Sequence, residues 1–199
     1  MKLGLLGPAA DFASLKAAAL GLRQKAGAER IVYLGTDQKL EEIVVEWARA
    51  LVGEEASEDG LLARATKRCL SASPYQIDQF IRKERELAHL RMYESLPNGR
   101  ARSVDILAGK VAVLIHDKAL LEEDDILPAA LLIFGKNPEP LIKQIGRRWF
   151  LSPGMGGIMT VSDVDDELTA TVFGADFSVL ESAALSSDST LKMRVQGSA

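Results

Sequence analysis

Leu131 to Gly154 reads LLIFGKNPEPLIKQIGRRWFLSPG, and the order of its parts decides the fold. Leu131, Leu132, Ile133 and Phe134 form a short apolar run ended by Gly135, the pattern of a strand covered on both faces. A hairpin follows, with two strands placed around Gly146. In open α/β sheets ligands gather beyond the carboxyl ends of strands, so Lys136 to Pro140 stand where an enzyme would keep its working side chains. They are Lys, Asn, Pro, Glu and Pro, a poor set for holding a metal or moving a proton.

Working outward, the amino-terminal half predicts how the sheet begins. Lys2 to Leu6 is a short apolar strand stopped by Gly7 and Pro8, and Asp11 caps a helix in which Phe12, Leu15, Ala19 and Leu22 share one face. Arg30 to Leu34 is a second strand closed by Gly35, so the first 35 residues predict a right-handed parallel crossover. Leu40, Ile43, Val44, Trp47 and Leu51 give an amphipathic helix, and Leu61 to Leu96 a helical region divided at Ser73 and Pro74. Beyond Pro97, Asn98 and Gly99 the period changes to that of strands: Val104 to Leu107 and Val111 to Ile115 as a hairpin, then Gly157 to Val164 and Leu168 to Phe173. This order predicts a layered α/β sandwich. Residues 1–181 read as one domain with a helical insertion over about 57–96. Residues 182–199 read as a flexible tail, in which Leu191 to Val195 could add an edge strand.

A chain of 199 residues buries about 70% of its unfolded surface and needs no disulfide. Cys69 is the single cysteine, which suits a reducing cytoplasm. With 24 basic and 28 acidic residues the net charge is −4, giving no electrostatic reason to expect nucleic acid or an anionic membrane as partner. No apolar run approaches the about 18 residues that a membrane span needs, so the sequence reads as a cytoplasmic protein.

Five short stretches at strand ends carry a resemblance: Leu6-Gly7-Pro8-Ala9-Ala10-Asp11, Leu34-Gly35-Thr36, His116-Asp117, Gly135-Lys136-Asn137-Pro138-Glu139-Pro140 and Ser152-Pro153-Gly154-Met155. In order and position they resemble the D-x-H, G-D, H-G, G-H-T-H-x-P and N-P-G-S motifs of the calcineurin-like metallophosphoesterases, in particular the small bacterial and archaeal members. The helical stretch ending ELAHLRMYESLPNG is similar to an insertion common among them, so the resemblance covers nearly all of Met1 to Phe173. It implies a four-layer αββα sandwich of mixed sheets with helices outside.

It also implies a centre of two metal ions held by aspartates, an asparagine and histidines, because two hard cations side by side need anionic oxygen and imidazole ligands. This chain carries Gly7, Ala9, Thr36, His116, Lys136 and Pro138 at those positions, and the G-N-H-D motif has no counterpart. Glycine, alanine and proline have no donor atom, and Lys136 puts a cation where one would bind. Changing even a residue that only supports a ligand costs about 10–100-fold, so the resemblance implies lost phosphoesterase activity, with no catalytic residue, no metal and no cofactor. It points to a scaffold with a protein partner, as in retromer's phosphoesterase-like subunit of the same family, and to a homo-oligomer.

Two other readings stay open. A rebuilt metal site would use His116 with Asp117, Glu122, Glu123, Asp124 or Asp125. A metal-free nucleotide or phosphate sensor would use Lys136 and the backbone of Gly154, Gly156 and Gly157. The glycines of PGMGG lead into a strand rather than a helix, which reads as a sharp turn more readily than as a phosphate cradle. His89, among charges, reads as a surface residue or partner contact and Cys69 as a core or semi-buried thiol. Trp47 reads as core, and Trp149 with Phe150 as core or an exposed anchor.

Overall fold

Alternation along β1 (Lys2–Leu6) sends Leu3 and Leu5 to one face and Gly4 and Leu6 to the other, and apolar layers build outward from both. The computed structural model describes residues 1–53, 60–69, 72–165 and 167–185, with only the backbone of 67–69. Helix α1 (Phe12–Gln24), its amino end capped by the Asp11 carboxylate, carries the chain to β2 (Arg30–Tyr33), which pairs in parallel with β1. Helices α2 (Lys39–Val52), α3 (Gly60–Cys69) and α4 (Pro74–His89) follow, then β3 (Tyr93–Ser95), parallel to β2.

The β-rich half supplies the second sheet and completes the first. Strands β4 (Arg102–Leu107) and β5 (Lys110–Ile115) form a hairpin whose turn, Ala108 and Gly109, has positive φ at both residues, 46° and 68°. After the one-turn helix α5 (Glu123–Ile126) come β6 (Leu131–Phe134), β7 (Leu141–Ile145) and β8 (Arg148–Ser152). Then β9 (Ile158–Val164), β10 (Glu167–Phe173) and β11 (Val179–Ala184) return to the first sheet. The strand orders are β11-β10-β9-β1-β2-β3 and β4-β5-β6-β8-β7. In the second sheet β5, β6 and β8 are parallel, with antiparallel edges.

Leu3, Leu5, Val32 and Leu34 meet Leu114, Leu131, Ile133 and Leu151 between the sheets, each worth about 1.5–3 kcal/mol when fully buried. On the first sheet's outer side Leu6, Ile31 and Tyr33 pack against Leu15, Leu22, Leu40, Ile43 and Leu90. The second sheet's outer side is thinner, with Val113 and Leu132 covered by Leu121, Ile126 and Ala129. The architecture is the α/β sandwich of two mixed sheets expected from the sequence, with its helical mass on one side. No helix among the described residues is long and apolar enough to cross a membrane.

Two boundaries differ from expectation. The helical region predicted to reach Leu96 ends at His89, and after a single 3-10 turn Tyr93–Ser95 becomes β3, because the open edge of β2 offers it a backbone ladder. Residues 182–185, expected to belong to a tail, are part of the sheet: Ser182, Ala183 and Ala184 pair with β10, and Leu185, fully buried, donates its N–H to Leu168. The remainder, including the strand proposed over Leu191 to Val195, lies outside the described residues.

Tyr33 fixes the loop after β1. Its side chain is buried, its hydroxyl accepts from Ala9 N–H at 3.2 Å and donates to Asp37 Oδ1 at 2.9 Å. Lys39 Nζ completes the stitch, 2.9 Å from Asp37 Oδ2 and 2.7 Å from the Ala9 carbonyl. Burial raises the Asp37 pKa, but hydrogen bonds from Lys39 and Tyr33 outweigh it and leave it below the usual carboxylate value. Burial, reinforced by the Asp37 hydrogen bond, pushes the Tyr33 phenol up to about 12.

Replacing Tyr33 by Phe removes both hydrogen bonds and leaves the buried Ala9 N–H unpaired, an expected loss of about 1–3 kcal/mol in denaturant unfolding. The pH dependence changes as well. The unfolded chain loses the phenolic proton near pH 10 while the folded chain keeps it to about 12. The unfolded state therefore binds fewer protons in that window, and stability falls as pH rises through it. Tyr33→Phe flattens that limb; identical alkaline limbs for the two proteins would refute the assignment.

Candidate functional site

The carboxyl ends of β1, β2, β5, β6 and β8 open at one edge of the sandwich, and the loops leaving them are bonded to one another. Gly7 N–H donates to the Gly157 carbonyl at 3.0 Å, Gly156 N–H to Pro8 at 2.7 Å, and Met155 N–H to Asn137 at 2.9 Å. Lys136 N–H donates to the His116 carbonyl at 2.7 Å, and Asn137 Nδ2 to Glu139 at 2.7 Å. The N–H groups of Gly154 and Gly157 are also used internally, on Ser152 Oγ at 3.2 Å and on the Gly154 carbonyl at 3.2 Å. All four N–H groups from Gly154 to Gly157 thus have acceptors within the protein.

Gly7 and Gly154 allow this closure. A Cβ on Gly7 would stand 1.7 Å from the Gly154 carbonyl oxygen. Gly154 has φ +80°, and a Cβ there would lie 2.7 Å from the Glu139 carbonyl carbon and Pro140 nitrogen. Backbone therefore lies against backbone where a ligating side chain would need room.

His116 is half-buried at the end of β5. Its Nδ1 is 2.7 Å from the Leu34 carbonyl, which can only accept, so that nitrogen carries a proton and donates it. Beside it, Lys136 Nζ lies 2.6 Å from Asp117 Oδ2, and the other carboxylate oxygen accepts Ala119 N–H at 3.0 Å. The hydrogen bond from Lys136, followed by that from Ala119, holds the Asp117 pKa below the usual carboxylate value. Ala9 is buried under the Tyr33 hydroxyl, Thr36 is exposed against Gly99, and Pro138 is exposed in the loop after β6.

The remaining acids do not turn toward His116 as a group. Glu122 and Asp125 cap α5 reciprocally, and Arg102 takes Asp125 at 2.6 Å and Glu122 at 3.2 Å. Glu123 and Asp124 are exposed in the first turn of α5. Among the described residues no three His, Cys, Asp or Glu side chains come together as a metal group. Elsewhere, His89 is exposed with Nδ1 3.3 Å from Arg23, and Trp47 is half-buried on Tyr93 with ring centroids 5.1 Å apart. Trp149 packs against the inter-sheet core and Phe150 against the outer apolar cluster, while the Cys69 side chain lies outside the described residues. The stitching role of Tyr33, Asp37 and Lys39 had no motif to announce it. Its one sequence signal is a hydroxyl-bearing aromatic at the end of an apolar strand.

A two-metal centre needs several anionic oxygen and imidazole donors converging at short range. The six positions provide one imidazole, one exposed hydroxyl, one cation already paired and three side chains without a donor. These residues do not fit such a centre.

No family model and no curated protein matches the sequence, but solved structures match the fold. YfcE, a phosphoesterase from E. coli, superposes with TM-score 0.52 at 15% identity over 94% of this chain and 100% of its own. Vps29 from Entamoeba histolytica complexed with zinc does so with TM-score 0.51 at 15% identity over 94% and 100%. A novel archaeal phosphodiesterase gives 0.50 at 12% identity over 87% and 100%. At such identities the likeness is one of architecture, and function has to be argued from the site. The chain has the calcineurin-like metallophosphoesterase fold.

Proposed function

We propose that this chain is a non-catalytic protein on the metallophosphoesterase fold that acts as a protein-interaction or regulatory scaffold. The observation that carries the reading is the closure of the strand-end loops at Gly7 and Gly154, where a Cβ would stand 1.7 Å from a backbone oxygen. An aspartate at Gly7 would have to push the Pro153 to Gly157 loop aside before it could reach a metal. Support also comes from the chemistry around it, since His116 is the one imidazole at the six positions. A site rebuilt from nearby acids would first have to break Asp117 from Lys136 and Asp125 from Arg102. An anion held by the glycine turn would have to displace the carbonyls and hydroxyl that already accept its N–H groups.

The test is metal content by mass spectrometry of the purified protein, combined with hydrolysis of a generic phosphodiester in added Mn²⁺. The expected result is no stoichiometric metal and no turnover above background. Two tightly held ions, or turnover lost on His116→Ala, would overturn the reading. The steric part is tested separately. Gly7→Ala is expected to cost about 1–3 kcal/mol in urea unfolding through overpacking, and Gly7→Asp combined with Ala9→His to gain no Mn²⁺ affinity. An unchanged unfolding midpoint for Gly7→Ala would show that the loops yield easily.

A further inference from the structure

Strand β4 is an open edge of the second sheet, paired on one side only. Leu107 and Lys110 flank the two-residue turn and face each other in the hairpin, so they form its closing hydrogen-bonded pair. By alternation Ser103, Asp105 and Leu107 bond to β5, and the N–H and C=O groups of Arg102, Val104 and Ile106 point outward. The Asp105 carboxylate takes one of them, Ile106 N–H, at 2.8 Å. The side chains alternate too: Val104 is 65% and Ile106 67% exposed on the outer face, while Asp105 turns inward to Arg30 of β2. An edge of this kind is a template for another strand.

The described residues end beside this edge. After β11 Leu185 joins the inter-sheet core, and its carbonyl accepts from Lys110 Nζ at 3.1 Å. Lys110 stands opposite Leu107, the carboxyl end of β4. Beyond Leu185 the sequence continues through residues 186–199, in which Leu191, Met193 and Val195 alternate with Lys192 and Arg194, the period of a strand with one apolar and one basic face. Ser186 to Thr190 are five residues, a reach of about 16–18 Å when extended. That brings Leu191 to the hairpin end of β4. A strand entering there runs back along β4, antiparallel to it.

We propose that residues 191–195 dock on β4 as its antiparallel neighbour, with Leu191 opposite Ile106, Met193 opposite Val104 and Val195 opposite Arg102. Residues directly opposite share a face, so the three apolar side chains extend the exposed patch of Val104 and Ile106. Lys192 then falls opposite Asp105. Arg30 is shared there by two carboxylates, Asp105 and Glu94, and Lys192 supplies a second cation. Charge and length select this edge over the others. Strand β7 carries Lys143 and leads to Arg147 and Arg148, like in sign to Lys192 and Arg194, and β3 is three residues long. Strand β11 would pair with the segment only if the chain doubled back, and Leu185 has already turned inward. The docked segment covers backbone groups that would otherwise template association between chains. It shares no residue with the strand-end loops, so it stands or falls separately from the non-catalytic reading.

The first test uses the full chain carrying Cys69→Ser, so that any bridge forms between introduced cysteines. Directly opposite residues of such a ladder lie about 5.5 Å apart between Cα atoms, within disulfide range. Val104→Cys with Met193→Cys is expected to close an intrachain disulfide under mild oxidation, read as a faster band on a non-reducing gel. Val104→Cys with Lys192→Cys, whose side chain faces the other way, should close far more slowly. The second test is amide hydrogen exchange on the full chain. The ladder is expected to slow Val104 N–H about tenfold or more, and Leu191→Asp with Met193→Asp to remove that slowing. Equal closure of the two cysteine pairs, closure of neither, or Val104 exchange indifferent to the aspartates overturns the proposal. A bridge between chains in place of one within a chain overturns it as well and gives the edge to a second copy.

Discussion

The backbone of Gly7 lies directly against the carbonyl of Gly154, and the carboxyl edge of both sheets depends on that contact. Strand β1 ends in the first sheet and β8 in the second, so the contact joins the two halves of the sandwich where the fold would otherwise leave a cleft. It is made of peptide groups alone. Three cross-loop hydrogen bonds, Gly7 to Gly157, Gly156 to Pro8 and Met155 to Asn137, hold it, and each removes a polar group that burial would make costly if left unpaired. The absence of a Cβ is therefore a structural requirement there.

The charges at this edge follow the same economy. Lys39 and Asp37 neutralise each other over the loop after β1, and Lys136 and Asp117 do so beside His116. A metal-binding cleft needs the reverse, an excess of anionic donors whose repulsion the cation relieves. Here Asp37 and Asp117 have pKa values held below the carboxylate norm by hydrogen bonds from Lys39 and Lys136, so their negative charge is already compensated without an ion. His116 belongs to this pattern too, since its Nδ1 proton satisfies the Leu34 carbonyl at the end of β2.

Much of the sandwich was legible because it rests on local signals. The run from Leu131 to Phe134 and the crossover from β1 through α1 to β2 carry their own apolar periods, and the hairpin around Gly146 has its turn residue at φ +61°. Strand β3 was hidden because Tyr93, Glu94 and Ser95 follow α4 after a single 3-10 turn with no glycine or proline between, and only the edge of β2 makes them a strand. Strand β11 was hidden for a related reason, since VLESAA has weak strand character and is paired by β10. At the site, the chemistry of Gly7, Ala9 and Pro138 could be read from residue type alone. The Tyr33 hydroxyl reaching Ala9 across 24 residues could not, because no spacing rule links the end of β2 to the loop that leaves β1.

The strand-end loops and helix α4 differ in what the fold asks of them. In the strand-end loops a Cβ at Gly7, Gly135 or Gly154 would meet backbone, the Gly154 carbonyl at 1.7 Å, the Leu34 carbonyl at 2.4 Å and the Glu139 carbonyl carbon at 2.7 Å. Helix α4 lies outside that constraint. It touches the body through Phe80, Glu84, Glu86 and Leu87, and the opposite side, with Asp78, Arg82, Arg85 and His89 exposed, can change residue by residue without altering the sheets. The helical side thus tolerates change at its surface, while the strand-end edge is held by backbone against backbone.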